Sequence, residues 1–484
     1  MIDTMLLFGA TGDLAGRLLL PALASLHAVG ALPAGFRIIA TARQQWDDAR
    51  FQRHAAHRLV QHAAGVPAAS REALARAISY RYSDATDADT VAAVVREATG
   101  ADGRPIVAYL ALPQGLFPPT VTTLGDVGLP QGSRIVLEKP FGEELDDAIA
   151  LNRLLAQVVG DAGEEAVYRV DHALGMVTVQ NLIGLRFAGR LLETVWNSYS
   201  IEQIDVLWEE TLALEGRASF YDKAGALKDV MQNHMLQVLC FAAMEPPESL
   251  GARDLQDRKV ELLNAVRPFT REDVISRTRR ARYATGTLAD TGGADGRQVP
   301  DYVDEDGVDP ARETETFAEV VLAIDNDRWT GTRFVLRTGK ALAERRKEVV
   351  VHFRPDSGPP FRPERDEGTG VTPDVLRVGV DGPVDIVLRL NGTARASPEE
   401  LTSLTLASSP VTSSLSPYGW VLLDVLNGGS RRSVRGDEAE AAWRVVTPIL
   451  EGWAAGDVPM DEYPAGSGGP ARLEARPSWP GSAR

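Results

Sequence analysis

The segment that most restricts this chain is Gly9-Ala10-Thr11-Gly12-Asp13-Leu14-Ala15. It follows at once on an apolar run, Thr4 to Phe8, and opens a stretch in which Leu14, Leu18, Leu19, Leu23 and Leu26 recur at helical spacing. Glycines at that junction permit a tight turn from strand into helix. They also let the backbone come close to an anion held at the helix N-terminus, where unpaired N–H groups and the helix dipole favour negative charge. Phe36 to Ala40, Pro105 to Leu112 and Ser133 to Leu137 read as further buried strands with helical segments between them. Strands alternating with helices specify a parallel sheet covered on both faces, so the N-terminal part reads as an α/β domain.

A degenerate GxxGxxA is weak by itself, and its strand–turn–helix setting is what makes it a dinucleotide-binding turn rather than a bare glycine turn. The cofactor-binding candidates are Gly9, Thr11, Gly12, Asp13 and Leu14 on the turn, with Thr41, Arg43 and Gln44 at the end of the second strand. An NAD site usually places Asp or Glu there for the ribose 2′-hydroxyl, whereas arginine suits a 2′-phosphate. No carboxylate appears until Asp47, so NADP is the expected cofactor and NAD the alternative. A surface arginine is the plainer reading of Arg43.

After Tyr168 to Asp171 the pattern changes. Val177 to Phe187 and Lys223 to Met244 read as helices, and Phe317 to Ile324, Arg333 to Leu336 and Val349 to Phe353 as strands. Helices segregated from strands suggest an α+β second domain. Gly286 to Asp309 and Pro355 to Pro373 read as long surface loops, and the chain from Pro464 as an irregular arm. The expected division is a dinucleotide-binding domain over residues 1–172 and a substrate-binding and oligomerisation domain over 173–484.

The net charge of −16 argues against nucleic-acid binding, which needs a basic surface, but not against a small anion in a local basic pocket. A single cysteine, Cys240, excludes an intrachain disulfide framework and a cysteine-based zinc site. The N-terminus lacks a basic leader and no stretch approaches ~20 apolar residues, so no membrane segment and a cytoplasmic location are expected. His54, His57 and His62 match no strong ligand spacing and read as a solvated helix face rather than a metal site.

Four further blocks carry a family resemblance: Glu138-Lys139-Pro140-Phe141-Gly142; Tyr168-Arg169-Val170-Asp171-His172; Glu215-Gly216-Arg217 through Asp229-Val230-Met231-Gln232-Asn233-His234; and Arg337-Thr338-Gly339-Lys340. With the opening glycine turn and Tyr463 to Pro470, their order and spacing resemble the glucose-6-phosphate dehydrogenases. The resemblance implies a Rossmann domain followed by a larger α+β domain with a mixed, mostly antiparallel sheet, assembled as a homodimer or homotetramer. It implies oxidation of a small-molecule sugar at C1 to a lactone. His234 would be the general base, Asp171 its orienting carboxylate, and Lys139 a lysine touching both substrate and cofactor. Histidine suits the first role because its pKa lies near neutrality. Glu210 and Asp229 match positions that bond sugar hydroxyls, His172 a phosphate ligand, and Lys340 a contact near the sugar phosphate with Arg345 close behind. Without the resemblance, Asp229 and His234 lie five apart on a helix and need not share a face.

One block departs from the family. Where relatives read Asp-His-Tyr-Leu-Gly-Lys, this chain has Asp171-His172-Ala173-Leu174-Gly175-Met176. A hydroxyl and an ammonium are lost at Ala173 and Met176, and charge-assisted hydrogen bonds are worth about 1.5–3 kcal/mol each, on the order of 10² to 10⁴-fold in affinity together. Three readings follow: glucose 6-phosphate is still the substrate, with Lys340 or Arg345 compensating; the same C1 chemistry acts on an unphosphorylated hexose; or the chain is a silent, dinucleotide-binding paralogue. The last is weakest, because loss of function would not spare the acid–base pair.

Overall fold

The structure is a computed structural model that describes residues 1–289, 296–355, 373–381, 385–393, 401–409 and 412–473. The chain divides into two compact units.

The first unit comprises Met1–Met176, Pro247–Val260 and Ser413–Trp443. Strands β1 (Thr4–Phe8), β2 (Arg37–Ala42), β3 (Ile78–Tyr82), β4 (Val107–Leu110), β5 (Arg134–Glu138) and β6 (Val167–Val170) form a parallel sheet in the order 6-5-4-1-2-3. A short strand, Ser433–Val434, pairs antiparallel with β6 at the edge. This order reverses direction between β1 and β4, which opens a crevice at the C-terminal ends of the strands where such sheets bind ligands. β1 is buried throughout, and its side chains alternate: Met5 and Leu7 join one core with Leu23, Phe51 and Leu422, while Leu6 and Phe8 join another with Val91, Phe117 and Leu155. A period of two with both faces apolar is what a doubly covered parallel strand requires.

The sequence carries no obvious sign that the C-terminal region returns to this unit. The helix Pro417–Asn427 lays Tyr418, Val421, Leu422, Val425 and Leu426 into the β1 core. A fully buried ion pair, Lys259 Nζ to Glu438 Oε1 at 2.7 Å, ties the two later segments together.

The second unit comprises Val177–Pro246, Glu261–Thr412 and Arg444–Arg484. Its strands are β7 (Ile201–Glu209), β8 (Thr278–Ala284), β9 (Gly286–Leu288), β10 (Arg297–Val299), β11 (Phe317–Leu322), β12 (Arg333–Gly339), β13 (Arg346–Phe353), β14 (Val375–Gly379), β15 (Ile386–Thr393) and β16 (Leu401–Ala407). Nine strands make one sheet in the order 16-15-14-13-7-12-11-8, with Met460–Pro464 beside β8. Only the β7–β12 and β8–Met460–Pro464 pairs are parallel. The architecture is the expected α/β Rossmann sheet followed by a mostly antiparallel α+β sheet.

Several local expectations change. β9 and β10 form a small hairpin inside the segment read as a loop, whose residues 290–295 lie outside the described residues. Most of the second expected loop, residues 356–372, lies outside them too. The arm after Pro464 is irregular as expected through residue 473, and hydrogen bonds hold it: Arg337 Nη2 donates to Gly468 O at 2.8 Å and Leu473 N donates to Glu319 Oε1 at 2.6 Å. No helix among the described residues is long and apolar enough to cross a membrane.

Candidate active site

The glycine turn lines a cleft of about 280 Å³ in the first unit, with Gly9, Thr11 and Gly12 on one side and Thr41, Arg43 and Gln44 on the other. Gly9 has φ +70°, and a Cβ there would stand 2.1 Å from the Ala111 carbonyl oxygen, so only glycine fits. Thr11 Oγ1 donates to Gln44 Oε1 at 2.9 Å, linking the turn to the end of β2. Thr41 Oγ1 is buried on this cleft with no hydrogen-bond partner. A concave glycine cradle with an unsatisfied hydroxyl and an arginine at its rim fits a phosphorylated dinucleotide.

Asp13, Leu14 and Lys139 are not among the residues lining this cleft. Asp13 pairs with Arg17 at 3.0 Å and Arg58 at 2.8 Å; burial raises its pKa, but the two arginines outweigh it and hold the carboxyl below its ordinary range. Leu14 packs against the β1 core. Asp47 is no ribose ligand: it caps the helix Asp48–His62, its Oδ1 accepting from Arg50 N at 2.7 Å. The cleft gains Ser83, Asp84 and Thr86 from the end of β3, which sequence reasoning missed because nothing marked β3 as reaching the crevice. Of the three early histidines, His57 and His62 are exposed on the helix, whereas His54 is half-buried against Trp46, with ring centroids 5.4 Å apart.

The altered block follows β6 as a short 3₁₀ turn, His172–Gly175, capped by Asp171, whose Oδ1 accepts from Ala173 N at 2.9 Å. Ala173, Leu174 and Gly175 are buried. A Cβ on Gly175 would stand 2.2 Å from the Pro417 carbonyl oxygen, so this glycine lets the helix Pro417–Asn427 close onto the turn. That contact sets Tyr418 parallel to His172, with centroids 5.6 Å apart and planes at 11°. The Tyr418 hydroxyl donates to Glu138 Oε2 at 3.3 Å, and the Tyr109 hydroxyl donates to Oε1 at 2.5 Å. Burial pushes the Glu138 carboxyl up to about 7, against the lowering effect of the two tyrosines and Lys139. Tyr109 and Tyr418 join Glu138 in this cluster although no sequence motif pointed to them.

In the second unit, the block holding Asp229 and His234 is a π-helix, Leu227–Met235, continued by an α-helix, Leu236–Ala243. At 3.6 residues per turn, positions five apart would lie about 140° around the axis. An i→i+5 repeat winds more slowly, so residues five apart fall only a little past one turn, and Asp229 and His234 lie toward the same side of the helix. Glu315 anchors the start of this helix, its Oε1 accepting from Leu227 N at 2.9 Å. His234 stacks on Trp208 of β7, with centroids 5.2 Å apart and planes at 21°.

Glu210, just past β7, is gripped by two lysines: Lys340 Nζ at 2.8 Å from Oε2 and Lys347 Nζ at 3.2 Å from Oε1. Burial raises its pKa, but the two ammonium charges prevail and bring it to about 2. Lys340 also lies 5.0 Å over the Tyr221 ring. Arg345 is paired with Asp381, whose Oδ2 also lies 3.7 Å from the Lys347 ammonium.

The chain is similar to known proteins over almost its whole length. Residues 6–181 match the glucose-6-phosphate dehydrogenase NAD-binding domain, and residues 183–477 match the glucose-6-phosphate dehydrogenase C-terminal domain. It is 36% identical to the glucose-6-phosphate 1-dehydrogenase of Treponema pallidum across 98% of this chain and 94% of the relative, and 36% identical to that of Mycolicibacterium smegmatis across 96% and 93%. The crystal structure of the Mycobacterium avium glucose-6-phosphate 1-dehydrogenase superposes with a TM-score of 0.83 at 31% identity, covering 97% of this chain and 95% of the other. A glucose-6-phosphate dehydrogenase in complex with its substrate glucose 6-phosphate superposes with a TM-score of 0.85 at 28% identity, covering 98% and 96%. The chain belongs to the glucose-6-phosphate dehydrogenase family, with a dinucleotide-binding domain followed by the family's C-terminal domain.

Proposed function

We propose that this protein oxidises a hexose, glucose 6-phosphate or a close analogue, at C1 to the lactone, using NADP with NAD as an alternative. The observation that supports the reading is the π-helix of the second unit, whose repeat turns Asp229 and His234 toward one side, with His234 stacked on Trp208 and Glu210 clamped by Lys340 and Lys347. When bound, the nicotinamide accepts the C1 hydride. His234 takes the proton of the C1 hydroxyl, with Asp171 as its orienting carboxylate and Lys139 serving substrate and cofactor, roles the family blocks assign. Glu210 and Asp229 accept hydrogen bonds from sugar hydroxyls. Gly9, Thr11 and Gly12 would hold the pyrophosphate, and Arg43 the 2′-phosphate. In this reading residues 1–172 serve the cofactor and 173–484 the sugar and self-assembly, as a homodimer or homotetramer in the cytoplasm.

A second reading, an unphosphorylated hexose, is favoured by the altered block. Ala173 and Met176 are both buried, while the cations offered as compensation, Lys340 and Arg345, already hold Glu210 and Asp381. A panel of phosphorylated and free hexoses, run with both cofactors, decides between them. Turnover of no hexose, with NADP still bound, would contradict both readings in favour of a silent paralogue.

A further inference from the structure

Trp208 is buried, and alternation along β7 sends it to the face opposite Glu209. Glu209 is consumed by Arg337 at 2.7 Å and Arg346 at 2.6 Å. Directly across the antiparallel pair from Trp208 is Lys347 of β13. Cross-strand partners on one face are close neighbours, and the Lys347 ammonium lies 4.5 Å from the centre of the Trp208 ring. The same lysine reaches Glu210. The indole is thus in contact with the His234 imidazole and with an ammonium bound to the sugar-side carboxylate. β12 fixes the backbone beneath it, Thr338 Oγ1 donating to Trp208 O at 2.8 Å.

We propose that Trp208 is a positioning residue for the base: its indole face sets the plane of the His234 imidazole, and Lys347 couples that plane to Glu210. This rests on the reading of His234 as the general base. An imidazole has one torsion that swings its ring and another that turns it, and a parallel aromatic surface restricts both. Abstracting a proton needs the ring nitrogen aimed at the hydroxyl, and small misplacements of a reacting group cost large factors in rate. When the base takes its proton it becomes a cation against a π-face, an arrangement that indole favours. Lys347 also holds one oxygen of Glu210, so the carboxylate that receives sugar hydroxyls and the base that attacks one of them are referred to a common side chain. A tryptophan serving only as core filling would have no bearing on the ring's orientation.

The test uses the full-length protein with Trp208→Leu, Trp208→Phe and His234→Gln variants. Glucose 6-phosphate and glucose are the probes, with NADP as cofactor. Trp208→Leu is expected to lower kcat about 10 to 100-fold while KM moves less than about 3-fold, and Trp208→Phe to recover most of the loss because it restores a flat ring. The second readout needs no turnover. The emission of Trp208, taken as wild type minus Trp208→Phe, should fall as pH drops and the stacked imidazole becomes a quenching imidazolium, and His234→Gln should remove that titration. An unchanged kcat in Trp208→Leu, a loss that Phe does not rescue, or Trp208 emission indifferent to His234 would overturn the proposal. Full kcat in His234→Gln would overturn the base assignment itself, and this outcome is recognisable because it appears in the histidine variant and not in the tryptophan ones.

Discussion

Glu138 accepts a 2.5 Å hydrogen bond from the Tyr109 hydroxyl inside the first unit, with the whole carboxyl buried. Burial raises its pKa from 4.5 to about 7, so folding favours the protonated acid. The stability this group contributes is complete below its unfolded pKa and is lost as pH rises through the folded value. Glu315, at the start of the π-helix, is raised in the same direction to about 7 by the same cause. Replacing either with Gln should therefore reduce the loss of stability between roughly pH 5 and pH 8 by about 2 kcal/mol. Urea midpoints at the two pH values check this; parallel pH dependences in wild type and variants would show that the carboxyls ionise as freely folded as unfolded.

Arg43 stands on the glycine-turn cleft at the end of β2, with Asp84 from the end of β3 lining the same cleft. Arg43→Ala should raise KM for NADP about 10 to 100-fold and leave KM for NAD within about 3-fold, because a charge-assisted contact to a 2′-phosphate is worth about 1.5–3 kcal/mol. Equal effects on both cofactors would assign Arg43 to the shared part of the dinucleotide or to structure.

Gly175→Ala would drive a methyl group to 2.2 Å from the Pro417 carbonyl oxygen. The turn and the helix Pro417–Asn427 must separate to admit it, at about 1–3 kcal/mol or more. A lower thermal midpoint together with weaker substrate binding is expected, since His172 and Tyr418 depend on that contact. Unchanged stability would mean the two segments do not close as described.

Much of the fold was readable because its signals are local. The glycine turn, the alternating apolar runs and the helix Val177–Phe187 all coincide with observed elements. What was not readable depends on backbone detail or on distant chain segments. Nothing near Asp229 and His234 announces a π-helix, whose i→i+5 repeat turns them toward one side. Tyr418 joins His172 and Glu138 from 246 and 280 residues along the chain. The carboxylate seen at Asp47 turned out to cap a helix, a role that its position before a helical run could have indicated. No sequence feature marks Trp208, and only the strand register sets it opposite Lys347.

The altered turn at Ala173 and Met176 makes substrate choice the most informative measurement. We would measure kcat/KM for glucose 6-phosphate and for glucose with NADP, in wild type, in His234→Gln and in the double variant Ala173→Tyr with Met176→Lys. The account predicts C1 oxidation of at least one of these sugars, a fall of about 10³-fold or more in His234→Gln, and a gain of at least about 10-fold for the phosphate ester in the double variant. Turnover that survives the loss of His234, or no turnover of any hexose by a protein that binds NADP, would contradict it.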